Sequence, residues 1–185
     1  MSSCIVKSLN PFYTKKSVSF DERFLGNWKD GKNGNWKIIA FKDEITKENP
    51  VKKMKEDDLT FYEIYKESFY ILREYKNKET VYLATPFKVK GETFLDFYPL
   101  DFQEEIDNLL ESHMVYTHSL VKYDIKKNGD IEIKWLDEDK IENLFKQNKI
   151  KIEHEKVGAV KDKFLLTASS ENLKKFIEKY ISSSD

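Results

Sequence analysis

The chain has 185 residues, 39% of them apolar and 14% aromatic, which suffices for a domain with a substantial core and excludes global disorder. Acidic and basic residues nearly cancel, at a net charge of -1, and arginine occurs only at Arg23 and Arg73, so the basic face and bidentate arginine contacts of a nucleic-acid binder are missing. No apolar run approaches the ~18 residues of a membrane-crossing helix, and the single cysteine excludes an internal disulfide.

Ser2-Ser3-Cys4 matches the end of a bacterial lipobox, where small residues precede a cysteine whose thiol becomes linked to diacylglycerol. The basic and apolar regions of a signal peptide do not precede it, so a start at Met1 contradicts lipidation, whereas a chain cut close to the mature terminus reconciles the two. The alternative is an incidental exposed thiol. The remainder of residues 1–20 looks extended and contains Pro11; it is expected to tether a domain spanning 21–185 or to lie across its base. Ile5-Val6-Lys7 lacks the acidic residues that direct surface export in some bacteria, which favours a periplasmic address.

Asp21 is placed to cap a helical turn from Glu22 to Leu25. Gly26 then permits a sharp turn or a close approach, and Trp28 opens a strand. Gly-x-Trp resembles the first motif of lipocalin-like (calycin) barrels, in which the indole plugs one end; a core tryptophan after a turn is the plain alternative. Asp30-Gly31-Lys32-Asn33-Gly34 turns the chain into a strand from Trp36 to Phe41. Residues 43–57 are charged, contain Pro50 and predict a solvated loop.

Strands are predicted over Leu59 to Tyr65, Ser68 to Tyr75, Thr80 to Val89 and Thr93 to Tyr98, with turns at Lys76-Asn77-Lys78 and Lys90-Gly91. Asp101 starts a predicted helix to about His113, with Glu104 completing a capping-box-like pair. Met114 to Lys126 alternates, Asn128-Gly129 is a tight hairpin signal, and Ile131, Ile133 and Trp135 share one face of the return strand. Asp137 is placed to cap a second helix, Glu138 to about Asn148, with Leu136 and Ile141 spaced as a hydrophobic staple. Ile150 to Val157 and Lys163 to Ala168 read as the last strands, joined through Gly158. Ser169 or Ser170 then caps a terminal helix whose Leu173, Phe176, Ile177, Tyr180 and Ile181 form one stripe.

These segments predict a mainly β, α+β domain: an antiparallel up-and-down lipocalin-like barrel with two inserted short helices and a C-terminal helix. The chain also resembles a family of uncharacterised bacterial lipoproteins with a lipocalin-like domain. The resemblance is carried by Cys4 to Tyr13, Phe24-Leu25-Gly26-Asn27-Trp28, Phe94-Leu95-Asp96-Phe97-Tyr98-Pro99, His118, Trp135-Leu136-Asp137, His154-Glu155 and Leu166 to Leu173. It implies that Cys4 is the lipidated residue, and with Ile5-Val6-Lys7 after it the expected address is the cell envelope, on the periplasmic side of the outer membrane. True lipocalins place a late-strand arginine against the Gly-x-Trp indole; no arginine follows Arg73.

No catalytic, cofactor or metal motif stands out. The histidines, His113, His118 and His154, form no His-x-x-x-His pair, and Glu153 and Glu155 point away from His154 on a strand. No Walker loop, Gly-x-Ser-x-Gly or dinucleotide fingerprint occurs. Asp96 is the carboxylate of interest, because Leu95 and Phe97 flank it and a buried aspartate must be paired or perturbed. If the barrel is an open cup, a small apolar ligand or lipid is expected against Tyr62, Tyr82, Phe94, Asp96 and His118, with Gly26 and Trp28 closing one end. If it is filled, the expected partner is another envelope protein on its outer surface.

Overall fold

The computed structural model describes residues 5–102, 109, 112–136, 138–161 and 163–182. Among them the fold is mainly β, a mixed sheet of ten strands with four α-helices. The chain divides into two compact units: residues 1–18, 87–97 and 116–185 form the first, and 19–86 with 98–115 the second.

The second unit is built on an antiparallel meander of β2 (Gly26–Lys29), β3 (Asn35–Ala40), β4 (Phe69–Tyr75) and β5 (Lys78–Val89). The local turn chemistry accounts for it. Lys76 and Asn77 both take left-handed φ, 53° and 59°, the pair of values a two-residue hairpin needs. Upstream, the Asp21 carboxylate accepts from the Arg23 amide at 3.1 Å and starts the predicted turn, a 3-10 turn over Glu22–Phe24. Phe24 is fully buried, and its ring lies 5.0 Å from that of Phe69, which also meets Phe20 at 4.8 Å.

The β2–β3 hairpin is held by one carboxylate. Asp30 Oδ1 accepts from the amides of Lys32 (2.9 Å) and Gly34 (2.7 Å), and Oδ2 from Trp36 Nε1 (2.9 Å) and Arg73 Nη2 (3.3 Å). A Cβ on Gly34 would stand 2.6 Å from Asp30 Oδ2, so only glycine lets the carboxylate approach. The Arg73 guanidinium in turn lies between the rings of Trp36 (5.2 Å) and Tyr75 (4.9 Å). These donors, the Trp36 indole first, hold the Asp30 carboxyl down at about 2.

Two elements of this unit differ from expectation. Leu59 to Tyr65 is not a strand; it lies in the helix α2 (Glu56–Tyr65). Glu56, Asp57 and Asp58 fill the first turn, where negative charge meets the positive helix end, and Phe61 and Tyr65 at i, i+4 pack on Phe41. The expected loop over 43–57 contains the end of the short helix α1 (Phe41–Ile45) and a 3-10 turn, Val51–Lys53.

The first unit is organised around β7 (His118–Ile125). One edge of β7 pairs with β6 (Glu92–Phe102) through residues 94–97. Its other edge is shared: residues 118–119 pair with β1 (Lys7–Ser8), and 121–125 pair with β8 (Ile131–Trp135). β1 also pairs, in parallel, with β10 (Lys163–Leu166), which pairs with β9 (His154–Val157). The N-terminal stretch expected as a tether thus supplies Val6, Phe12 and Tyr13 to a core shared with Phe87, Phe94 and Leu120. Helix α3 (Glu138–Lys146) buries Ile141 and Leu144, and α4 (Ser170–Ser182) buries Leu173, Phe176 and Ile177 with Tyr180 and Ile181 packed beside them, the predicted stripe. The expected capping residue Asp137 lies outside the described residues, as does most of the helix expected from Asp101 to His113; β6 itself runs on to Phe102.

The strands hydrogen-bond in the order β2-β3-β4-β5-β6-β7-β1-β10-β9, with β8 beside β7. Among the described residues no ladder joins β2 to β9, so the closed up-and-down barrel expected from the sequence is not formed. The order also departs from a simple meander at β1, which is inserted between β7 and β10 and runs parallel to β10. Nor does Trp28 plug an end. It is half-buried opposite Trp36 and donates its indole N–H to Phe24 O at 3.0 Å, while Gly26 (φ 136°) is exposed at the start of edge strand β2.

Two outcomes follow from this packing. Phe12→Ala should cost ~3–5 kcal/mol in urea unfolding, a core-cavity value that a solvated tether would not show. Asp30 has a folded pKa below its unfolded one, so its contribution is present above pH ~4 and is lost as pH falls through about 2. Urea titrations across that range should show wild type losing about 1 kcal/mol relative to Asp30→Asn, a figure that allows for solvent screening; parallel curves would show that the carboxylate contributes nothing.

Candidate functional site: the buried Asp96–His118 pair

β6 and β7 bring together the two polar residues that the sequence singled out in this unit. Asp96 lies opposite Leu120 in the antiparallel register, and His118 is two residues from Leu120, so both side chains share one face as diagonal neighbours. Phe94 and Leu120, in the same rows, place that face in the core. His118 Nδ1 and Asp96 Oδ2 are 2.9 Å apart, with Asp96 only 2% and His118 6% exposed.

Burial and pairing oppose each other here. Removing a carboxylate from water costs several kcal/mol even after relaxation. One charge-assisted hydrogen bond returns roughly 1.5–3 kcal/mol. Burial wins and pushes the Asp96 carboxyl up, while the His118 bond and the Phe12 amide pull it back only in part. Asp96 Oδ1 receives no hydrogen bond of ordinary geometry, so the Phe12 amide acts as a nearby dipole rather than a full partner. The pair can hold and exchange one proton between Oδ2 and Nδ1.

Ser8 lies directly across from His118 in the β1–β7 register and is fully buried. A Ser-His-Asp series invites comparison with acyl-transfer machinery, but the Ser8 hydroxyl is engaged by backbone: it contacts Leu166 O at 3.4 Å and accepts from the Asn10 amide at 3.2 Å. The Ser8 hydroxyl thus ties β1 to β10, and the Asp96–His118 contact ties β6 to β7. Sequence reasoning missed Ser8, because only strand register sets it opposite a residue 110 positions on, and no local pattern announces such a pairing.

The other candidates are placed separately. Phe94 is 3% exposed and stacks on Phe87 with ring centres 5.6 Å apart. Tyr62, on α2, and Tyr82, opposite Ile71 on β5, are half-buried in the second unit. Cys4 lies outside the described residues. His154 bonds through Nδ1 to Ile152 O at 2.9 Å and packs between Phe145 (4.6 Å) and Phe164 (5.1 Å). Among the described residues no three potential metal ligands converge.

Comparison with models of known protein families, with curated proteins and with solved structures finds no match.

The raised carboxyl fixes the sign of a pH effect. A folded pKa above the unfolded value means that the folded state holds the proton more firmly, so stability falls as pH rises from ~4, the ordinary aspartate value, towards and through the folded one. Asp96→Asn keeps a hydrogen-bonding group without the charge. Its stability relative to wild type should therefore improve as urea melts move from pH ~4 to neutrality; a constant difference would contradict the assigned shift.

Proposed function

We propose that this chain is a lipid-anchored protein of the bacterial cell envelope, held on the periplasmic side of the outer membrane through Cys4, and that it acts as an interaction module through its outer surface. The observation that carries the second half is the filled interior. In the first unit Phe12, Phe87, Leu120, Ile141 and Leu166 are almost wholly buried, and in the second Phe24, Phe69, Ile71 and Leu83 are. The volume that a small apolar ligand would need is taken by side chains. A space of about 270 Å³ beside the second unit's sheet is an open groove rimmed by Lys37, Asp43, Glu44 and Lys47. Asp96 and His118 line neither this groove nor the larger one beside α4.

The anchor rests on Ser2-Ser3-Cys4 and on the ordered motifs that resemble those of lipocalin-like lipoproteins. It is a relation of sequence pattern and does not require a closed cup. An enclosed apolar ligand, the rival reading, would need space that the aromatic core occupies.

Mass spectrometry of protein expressed with its native upstream region tests the anchor. Diacylglyceryl-modified Cys4 is expected, and an unmodified thiol would remove the envelope address. Native spectra of the soluble chain should show no retained small molecule; a persistent apolar adduct would favour the enclosed-ligand reading instead.

A further inference from the structure

Helix α4 buries one face and borders a groove with the next. Asn172, Lys175, Phe176 and Lys179 recur at i, i+3, i+4 and i+7, a single stripe along the helix. Together with residues 151–153 this stripe lines a groove of about 440 Å³, within the ~300–1,000 Å³ usual for small-molecule sites. Its apolar floor is half-buried Ile152, with the ring of Phe176, only 3% exposed, beneath it.

Its rim is cationic. Lys151, Lys175 and Lys179 stand against one carboxylate, Glu153, whose Oε1 accepts from Asn172 Nδ2 at 3.5 Å. Three lysines against one glutamate leave a surplus of two positive charges, in a chain whose net charge is -1. Some lysines elsewhere have carboxylate partners: Lys66 with Glu63 at 2.7 Å, Lys122 with Glu92 at 2.6 Å, Lys146 with Glu142 at 3.3 Å. Among the described residues Lys151, Lys175 and Lys179 make no ion pair or hydrogen bond. Like charges around one depression repel, and an anion placed among them relieves that repulsion while gaining attraction of its own.

We propose that this groove binds the anionic headgroup of a membrane amphiphile, with phosphate oxygens among Lys151, Lys175 and Lys179 and the adjoining apolar portion on Ile152 and Phe176. A free phosphate would use only the rim, and a neutral apolar molecule only the floor. A ligand that carries both uses the whole groove. The inference does not depend on acylation of Cys4, and protein without acyl chains tests it, so its failure and that of the anchor are separable.

The experiment is co-flotation of the unacylated chain with phosphatidylcholine vesicles, with and without phosphatidylglycerol, at ~0.1 M salt so that only close charges act. Wild type should bind the phosphatidylglycerol vesicles and not the neutral ones. K151Q/K175Q/K179Q should bind at least tenfold more weakly. K126Q/K134Q/K146Q removes the same charge from lysines that already have glutamate partners and should bind as wild type. All six side chains are solvent-facing to some degree, and matching thermal melts check that both variants fold. Equal loss in the two variants would reduce the effect to net charge and overturn the proposal, as would failure of wild type to bind. NMR titration with inorganic phosphate completes the test: binding as tight as that to vesicles, at the same residues, would leave the apolar floor without a role and also overturn it.

Discussion

One buried contact, Asp96 Oδ2 to His118 Nδ1 at 2.9 Å, constrains the first unit more than any other polar interaction in it. A carboxylate 2% exposed is tolerated only where something compensates its lost hydration. An imidazole supplies that compensation, and it does so only when β6 and β7 are in their observed register. Slipping either strand by one residue would turn one partner to the opposite face and leave the other unpaired in the core. Apolar packing among Phe12, Phe87, Phe94 and Leu120 supplies the bulk of the burial; the polar pair makes it selective among alignments.

Asp30 and Asp96 show how surroundings divide two identical side chains. Asp30 stands partly in solvent and receives four donors, so its carboxyl is held at about 2 and stays charged. Asp96 is enclosed, with one donor and a bare Oδ1, and its carboxyl is pushed upward. The first closes a hairpin through groups mostly within six residues of itself. The second joins two consecutive strands through residues 22 positions apart. Both serve the architecture, and among the described residues the three lysines around the groove beside α4 stand without carboxylate partners.

Legibility of the sequence followed the range of the interactions. Lys90-Gly91 and Asn128-Gly129 encode their hairpins locally, through residues that accept left-handed φ, and those turns stand where expected. The five-residue stripe of α4 has a period only a helix can bury on one side. The stretch from Leu59 to Tyr65 misled, because five large apolar residues in seven satisfy a strand as well as a helix, and the deciding acidic turn lies just before them. The place of β1 in the sheet was not legible at all. It depends on Lys7 and Ser8 pairing with Leu165 and Leu166, a choice made by the whole chain rather than by any window of it. Asp96 and His118 were each visible as odd polar residues in apolar surroundings, but their meeting required the register.

The N-terminal strand is locked into the core beside this pair rather than hung outside it. Native-state hydrogen exchange at the Leu9 amide, which donates to Leu166 O at 3.0 Å, distinguishes the two arrangements. If β1 is integral, this amide exchanges only through global unfolding, with the same protection free energy as the amides of β7. Exchange orders of magnitude faster than β7, as for a frayed terminus, would contradict the account.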